Sequence, residues 1–262
     1  MHILEVQFKD KRRGVLADRF CAVDLLLGAW RMNGQILGRE WPSFGDKRSY
    51  GVVVMAPEET SLAEINAGTY VRSAMSKLAE LGIETKIKCR CKTPESRNVC
   101  SCPRSPWMVL YTNYILLEPP LQCGGCGGVV PLYRFPNPAG EHHNVICWQS
   151  DYMACDTLQM NCRTGERFGT MEISRHDSSL SIRGRAICTS LSEISGIPTY
   201  YYLYRGSGRT LAAERGRRCP GCGESWLLPQ PVKVLDFFDM KCDPCRLVSN
   251  IAWDVRSTAE LS

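Results

Sequence analysis

From His2 to Lys9, apolar and polar residues alternate with the period of a half-buried strand. Asp18 predicts the N-cap of a helix reaching about Met32, with Phe20, Val23, Leu27 and Trp30 near one face and Gly34 as its stop. Tyr50 to Met55 is a β-branched apolar run that predicts a second strand. Ser61-x-x-Glu64 has capping-box spacing and predicts a helix running to Leu81, before Gly82. Alternation returns from Ile83 to Cys89, and Trp107 to Leu117, rich in Val, Tyr and Ile, predicts another strand. Such a β-α-β-α-β-β order requires a sheet covered by helices on at least one face.

Between those last two strands lies KCRCKTPESRNVCSCPRSP, an aperiodic insert ending in two prolines. Pro119-Pro120 predicts a boundary, followed by a CGGC turn and strands from Val129 to Phe135 and Asn144 to Trp148. Asp151 to Cys162 and Ser178 to Ser195 read as helices, and Thr199 to Tyr204 as an aromatic strand. From Arg205 the chain becomes a basic linker, two CxxC turns and short strand-like pieces, Ser225 to Leu228 and Val232 to Phe238, with a polar tail. The expected fold class is α/β (α+β), with mixed sheets flanked by helices plus a small C-terminal zinc ribbon. The expected domains are 1–118 with a Cys-rich basic insert at 89–104, 119–204 beginning with the CGGC turn, and 205–262 as ribbon and tail.

With 262 residues, 44% of them hydrophobic and 23% charged, the chain is long enough to bury one or two cores. Fifteen cysteines are too few per residue for a disulfide scaffold, and an odd number cannot all pair internally. No signal-like N-terminus and no run of about 18 uncharged apolar residues occurs, so the expectation is a reduced, cytoplasmic protein without membrane association. In that compartment clustered thiols point to metal or catalysis.

The strongest such cluster is Cys219-Pro-Gly-Cys222 and Cys242-Asp-Pro-Cys245, separated by 19 residues. Two residues between thiols let a tight turn aim both sulfurs at one ion, and two such knuckles complete a tetrahedron. Four thiolates leave no open coordination position, so the expected cofactor is structural Zn2+. Two redox CxxC pairs are the weaker alternative.

Cys89-x-Cys91 and Cys100-x-Cys102, eight residues apart, form a second set of four that a hairpin could gather around zinc. Cys123-Gly-Gly-Cys126 is a single knuckle whose candidate partners are Cys155 or Cys162. On a helix those two share a face but stand about 10 Å apart along the axis, so only one would join. Buried small hydrophobes are the alternative for both.

The formal net charge of +5 is a mild excess, and each four-thiolate zinc centre lowers it by two. Locally the balance is steeper. Arg205, Arg209, Arg215, Arg217 and Arg218 face only Glu214, and Lys86 to Arg104 holds six basic residues against Glu95. Arginine matches phosphate through its planar fork, so a polyanion is a sensible partner, with Arg215, Arg217, Arg218, Lys241 and Arg246 the first candidates for contact. Asp236, Asp239 and Asp243 oppose this at the far end of the ribbon. Tyr200, Tyr202 and Tyr204 share one strand face, either as packed core or as a stacking platform for bases.

The runs WQSDYMACDTLQMNC (148–162), PTYYYLYR (198–205), RRCPGCGESWLL and FDMKCDPCRLVSN together resemble an uncharacterised prokaryotic family of zinc-ribbon proteins to which nucleic-acid binding is ascribed. The resemblance extends over most of the chain. It implies metal ligation by Cys219, Cys222, Cys242 and Cys245 and, less directly, by Cys123 and Cys126.

Enzyme signals are faint. Cys155 lies between Asp151 and Asp156, with His142, His143 and His176 elsewhere, and Asp239-x-Lys241 has the form of a nuclease half-motif. No phosphate loop, HExxH, GxSxG or deaminase signature occurs. The sequence therefore reads as a zinc-ribbon protein with structural zinc that binds nucleic acid non-specifically. The alternatives are a protein-interaction module, such as a subunit or inhibitor of a nucleic-acid enzyme, and a Cys- or carboxylate-dependent hydrolase.

Overall fold

The computed structural model describes residues 1–11, 20–46, 49–230 and 238–260. Asp18, Asp236 and most of the strand expected at 232–238 lie outside them. The chain divides into two compact units, each assembled from separate stretches.

Unit 1 contains residues 1–99, 117–119 and 129–146. Its elements are β1 (His2–Asp10), α1 (Phe20–Met32), β2 (Ser43–Gly45), β3 (Ser49–Ala56), α2 (Thr69–Glu80) and β4 (Ile83–Lys92). The four strands form an antiparallel sheet in the order β2-β3-β1-β4, the split β-α-β arrangement of ferredoxin-like folds. Register places Leu4 opposite Val54 and Val6 opposite Val52, so one sheet face is continuous and apolar. Against it pack Val23, Leu26, Leu27 and Trp30 of α1 and Val71 and Leu78 of α2. Helix α1 ends where the sequence places its stop, at Gly34 in the left-handed region (φ +75°).

The capping box at Ser61 does not open α2. Ser61 is buried in a turn, where its hydroxyl accepts from the Glu58 amide (2.8 Å) and its carbonyl accepts from Gln35 (2.8 Å). With that oxygen committed, a 3-10 turn (Glu64–Asn66) intervenes and the helix starts at Thr69.

Unit 2 contains residues 100–116, 120–128 and 147–262. Its elements are β5 (Met108–Leu110), β6 (Leu121–Cys123), α3 (His143–Met160, which starts within the unit 1 residues), α4 (Glu166–Ser174), α5 (Ser179–Ser195), β7 (Thr199–Leu203), α6 (Leu211–Arg215), β8 (Met240–Cys242), β9 (Leu247–Ser249) and α7 (Trp253–Glu260). The strands make a mixed sheet in the order β6-β5-β7-β9-β8, parallel through the middle and antiparallel at both edges. The C-terminal strands β8 and β9 thus belong to this five-stranded sheet.

Strand β7 is buried along its whole length. Tyr201 meets Trp148 of α3 edge-on at 5.9 Å. On the opposite face Tyr200 packs on Trp107 (5.3 Å) and Tyr202 on Tyr111 and Phe238 (5.1 and 5.2 Å). The hydroxyls of Tyr200 and Tyr202 donate to Asp243 and Asn250. Tyr200 and Tyr202 are only 3% exposed, so these two rings are core and no stacking platform, while Tyr204, just past the end of β7, is half-buried.

Two expected strands change type. Asn144 to Trp148 opens α3, because Val145, Trp148, Tyr152 and Cys155 are buried at helical intervals continuing through the segment. The strand expected at Trp107 to Leu117 stops at Leu110, since the Asn113 side chain accepts from the amides of Ile115 (3.1 Å) and Leu116 (3.0 Å) and turns the chain. The stretch Val129 to Phe135 contributes one bridge to Val99 and a 3-10 turn, Leu132–Arg134.

Helix α5, whose N-cap Ser178 accepts from the Ser181 amide, presses Gly184 onto the sheet. A Cβ there would lie 2.2 Å from the Tyr201 ring and 2.8 Å from the Trp148 indole nitrogen. Gly184→Ala raises helix propensity by about 1 kcal/mol, whereas overpacking costs roughly 1–3 kcal/mol. The substitution is expected to lower the urea midpoint of unfolding; an unchanged or higher midpoint would show that α5 does not sit this tightly.

Candidate metal centres

The C-terminal centre is built from two turns of the same design. Cys219 donates its amide to Glu224 O (2.9 Å) and accepts from Gly223 N (2.8 Å), with Gly223 at φ +76°. Cys242, at the end of β8, stands opposite Leu247 of β9, and the turn between them closes through Arg246 at φ +52°. In both turns the residue after the second cysteine adopts the left-handed conformation, which returns the chain alongside itself and leaves both thiols pointing inward. Gly221 permits the approach of the second turn, for a Cβ on it would lie 2.7 Å from Cys245 Sγ.

All four sulfurs lie within 4.8 Å of one another, and Cys222 and Cys242 are 3.6 Å apart. Bonds of about 2.3 Å from zinc to sulfur place the corners of a tetrahedron about 3.8 Å apart, whereas a disulfide requires about 2.05 Å. The spacing therefore fits a four-thiolate ion site. The Glu224 amide brings the Cys222 thiol below its ordinary range, whereas burial raises Cys242 and pushes Cys245 up to about 11. The backbone favours the Cys222 thiolate, whereas Cys242 and Cys245 need a cation to shed their protons.

A second four-thiol cluster joins Cys100 and Cys102 to Cys123 and Cys126, again within 4.8 Å, with Cys102 and Cys123 at 3.9 Å. The hairpin of β5 and β6 assembles it by setting Met108 opposite Cys123, so the C-x-C just before β5 meets the CGGC turn closing β6. Here too the Cys123 amide donates to the fifth residue on, Gly128 (2.9 Å), and Gly127 at φ +70° donates back (2.8 Å). The two glycines of CGGC are dictated by packing. A Cβ on Gly124 would lie 2.0 Å from the Trp107 indole, and one on Gly125 2.9 Å from Pro106. Burial pushes the Cys123 thiol up, but the Ser105 hydroxyl and the amides of Cys126 and Gly125 outweigh it and bring it down to about 7. Cys102 is pushed up to about 12 by hydrogen bonds with Cys126 and Cys100.

This ligand set differs from the expected ones in two respects. Cys89 and Cys91 do not join Cys100 and Cys102, because they lie on β4 of unit 1 and are separated by a bulge. Cys89 pairs with Leu4 and Cys91 with Ile3, and since neighbouring β1 residues point to opposite faces, the two thiols leave opposite sides of the sheet. Cys155 and Cys162 do not join Cys123 and Cys126. Cys155 is buried on α3, and Cys162 is exposed at φ +51° with its sulfur directed at Gln159 O.

The candidate phosphate ligands separate into two kinds. Arg217, with its side chain 19% exposed, lies 3.4 Å from Glu214, donates to Ser249 Oγ (3.1 Å) and Asn250 O (2.8 Å), and stacks 4.9 Å from the Trp226 ring. Lys241 pairs with Asp243 over the rings of Tyr200 (4.5 Å) and Trp107 (5.6 Å). Both are structural. Arg215, Arg218 and Arg246 are exposed, although Arg246 also donates to the Tyr200 hydroxyl (3.1 Å). Ser105 and Trp107 belong to the second cluster with no motif to mark them. Ser105 Oγ lies 3.6 Å from Cys100 Sγ, and Trp107 rests on Gly124. Tyr200, packed on Trp107, holds Asp243 of the first cluster and so joins the two.

The enzyme signals find little support. Burial, then the carboxylates of Glu172, Asp151 and Asp156, push the Cys155 thiol up to about 11, opposite to an activated nucleophile. Asp239 is committed to the Ile251 amide (2.7 Å) and to Arg256.

Residues 1–89, 102–204 and 208–255 match three family models, each described as a domain of unknown function (DUF8589, DUF2310 and DUF8594). An uncharacterized protein of Haemophilus influenzae is 35% identical over 264 residues, covering 97% of this chain and 99% of that protein. A second uncharacterized protein of the same organism is 42% identical over 149 residues, covering 56% of this chain and 72% of that protein. A solved structure from Deinococcus radiodurans, a putative antibiotic biosynthesis monooxygenase, covers 38% of this chain and all of its own at 14% identity and a TM-score of 0.28, too low for inference.

The revised ligand set makes a direct prediction. Cys100→Ser should remove one tightly held metal ion per chain, and Cys155→Ser should remove none, by native mass spectrometry. The opposite pattern would restore the helix cysteine as the fourth ligand.

Proposed function

The chain belongs to the family of the full-length Haemophilus influenzae relative, a family of uncharacterised prokaryotic proteins, and we propose that it is a cytoplasmic protein with two structural zinc centres that binds nucleic acid without strong sequence preference. Cys219, Cys222, Cys242 and Cys245 hold one ion, and Cys100, Cys102, Cys123 and Cys126 hold the other. The observation that carries the metal half is the convergence of four sulfurs within 4.8 Å, repeated in two clusters, which fits a tetrahedral ion site. Closed thiolate shells leave no position for substrate, which favours a scaffolding role over catalysis, and reduced thiols favour a cytoplasmic setting.

The nucleic-acid half rests on fewer side chains than the number of arginines suggests. Arg205 and Arg217 are both engaged by Glu214, leaving Arg209, Arg215 and Arg218 of that cluster exposed, together with Arg246 next to the ligand Cys245. Two zinc centres bring the net charge from +5 to about +1, so attraction would be local and weak. A protein partner is favoured by the same consumption of charge and predicts binding that salt leaves unchanged.

Fluorescence anisotropy with single- and double-stranded DNA and RNA over a salt series separates these readings. Binding to nucleic acid should fall steeply with salt. The triple variant R215A/R218A/R246A should flatten the slope of log K against log salt on duplex DNA by about 0.9 for each phosphate no longer neutralised. Absence of binding at low salt by protein carrying two zinc ions would refute the nucleic-acid half alone. Absence of tightly held zinc would refute the metal half.

A further inference from the structure

A third set of side chains with metal-ligating atoms lies in unit 1 and shares no residue with either four-thiol cluster. His2 opens β1, where it is paired with Ala56 of β3 on one side and Lys92 of β4 on the other. Two residues along, Leu4 is directly opposite Cys89. His2 and Cys89 are therefore diagonal neighbours on one sheet face, within reach of each other. Their Nδ1 and Sγ atoms stand 3.8 Å apart. Just past Ala56 the chain leaves β3 and turns, and Glu59 on that turn brings a carboxylate oxygen so that all three ligand atoms lie within 4.8 Å of one another.

The surrounding structure holds these groups in place. Met1 is buried with Leu37 and Val129, which anchors the start of β1. Glu58, next to Glu59, accepts from the Tyr133 hydroxyl (2.6 Å) and from Arg134 (2.7 Å), which anchors the turn. The β4 bulge that sends Cys91 to the other face leaves Cys89, of the two β4 thiols, on this side, partly buried against the core.

We propose that His2, Glu59 and Cys89 form a third metal site, which takes a zinc-like divalent cation through one nitrogen, one oxygen and one sulfur and leaves a fourth position open. Zinc bonds of about 2.0–2.1 Å to nitrogen and 2.3 Å to sulfur place those atoms about 3.6 Å apart across a tetrahedral angle, close to the separation seen. Three protein ligands with an open position are the pattern of sites where zinc holds water or an exogenous ligand. Glu59 is exposed and the other two are half-buried, so this ion exchanges with solvent more readily than the thiolate-enclosed ones. The site draws on none of the residues assigned to the two four-thiol centres and stands or falls separately from them.

Zinc titration of the full chain, read by native mass spectrometry and repeated with Co2+ and visible absorption, tests it. Protein passed through a weak chelator should retain its tightly held ions, and excess zinc should then add one more per chain. His2→Gln and Cys89→Ser should each abolish that additional ion while leaving the tightly held count unchanged, which also reports that the fold is intact. Glu59→Gln, an isosteric change on an exposed turn, should weaken its uptake at least tenfold. The proposal is overturned if wild-type protein takes up no additional ion in excess zinc, or if the additional ion persists in both His2→Gln and Cys89→Ser; the 3.8 Å approach of His2 to Cys89 would then be a thiol–imidazole hydrogen bond.

Discussion

Four sulfurs held within 4.8 Å of one another cannot all become thiolates unless a cation stands among them, and unit 2 contains two such groups. The sheet between them has short edges. Strands β5, β6, β8 and β9 are three residues long, so each edge hairpin has only a few ladder bonds and a small buried face. Structural zinc contributes on the order of 10 kcal/mol in isolated fingers, comparable to the whole stability of a typical domain. In such short hairpins an ion held as proposed would decide whether the edges form.

Register places both centres at one end of the sheet. Cys123 is level with Met108 and Thr199, where β5 and β7 begin, and Cys242 is level with Leu247 and Tyr201, where β9 begins and β7 is under way. Between them stand Trp107 and Tyr200, with Lys241 above both rings and Asp243 bonded to the Tyr200 hydroxyl. The two ion sites are therefore linked by a packed aromatic pair and one charged pair. The Asp243 carboxylate is held below its ordinary range by Lys241 and then Tyr200, so the link is charged at neutral pH. This arrangement uses up Lys241, a cation that would otherwise be free to meet phosphate.

Much of the fold is legible from residue patterns, and what is not has particular causes. The C-terminal ligand set follows from two complementary CxxC turns, a local signal. The partners of Cys123 and Cys126 depend on the pairing of β5 with β6, and three-residue strands carry almost no periodicity, so the helix cysteines look like the better candidates. A usable signal is nevertheless present: glycine follows the second cysteine at Gly127 and Gly223, at the position where both turns require a left-handed residue. The bulge after Cys89 has no such marker, and it alone turns a C-x-C pair into two thiols on opposite faces. Val145 to Trp148 reads as a strand because its β-branched residues outweigh a helical spacing visible only when extended to Tyr152 and Cys155.

X-ray absorption at the zinc K-edge, on protein holding only its tightly bound ions, reads the ligands of these centres without disturbing them. The expected spectrum is that of four sulfurs per zinc at about 2.3 Å, with no nitrogen or oxygen bound to the metal. A mixture of sulfur with nitrogen or oxygen at those ions would contradict the closed thiolate centres.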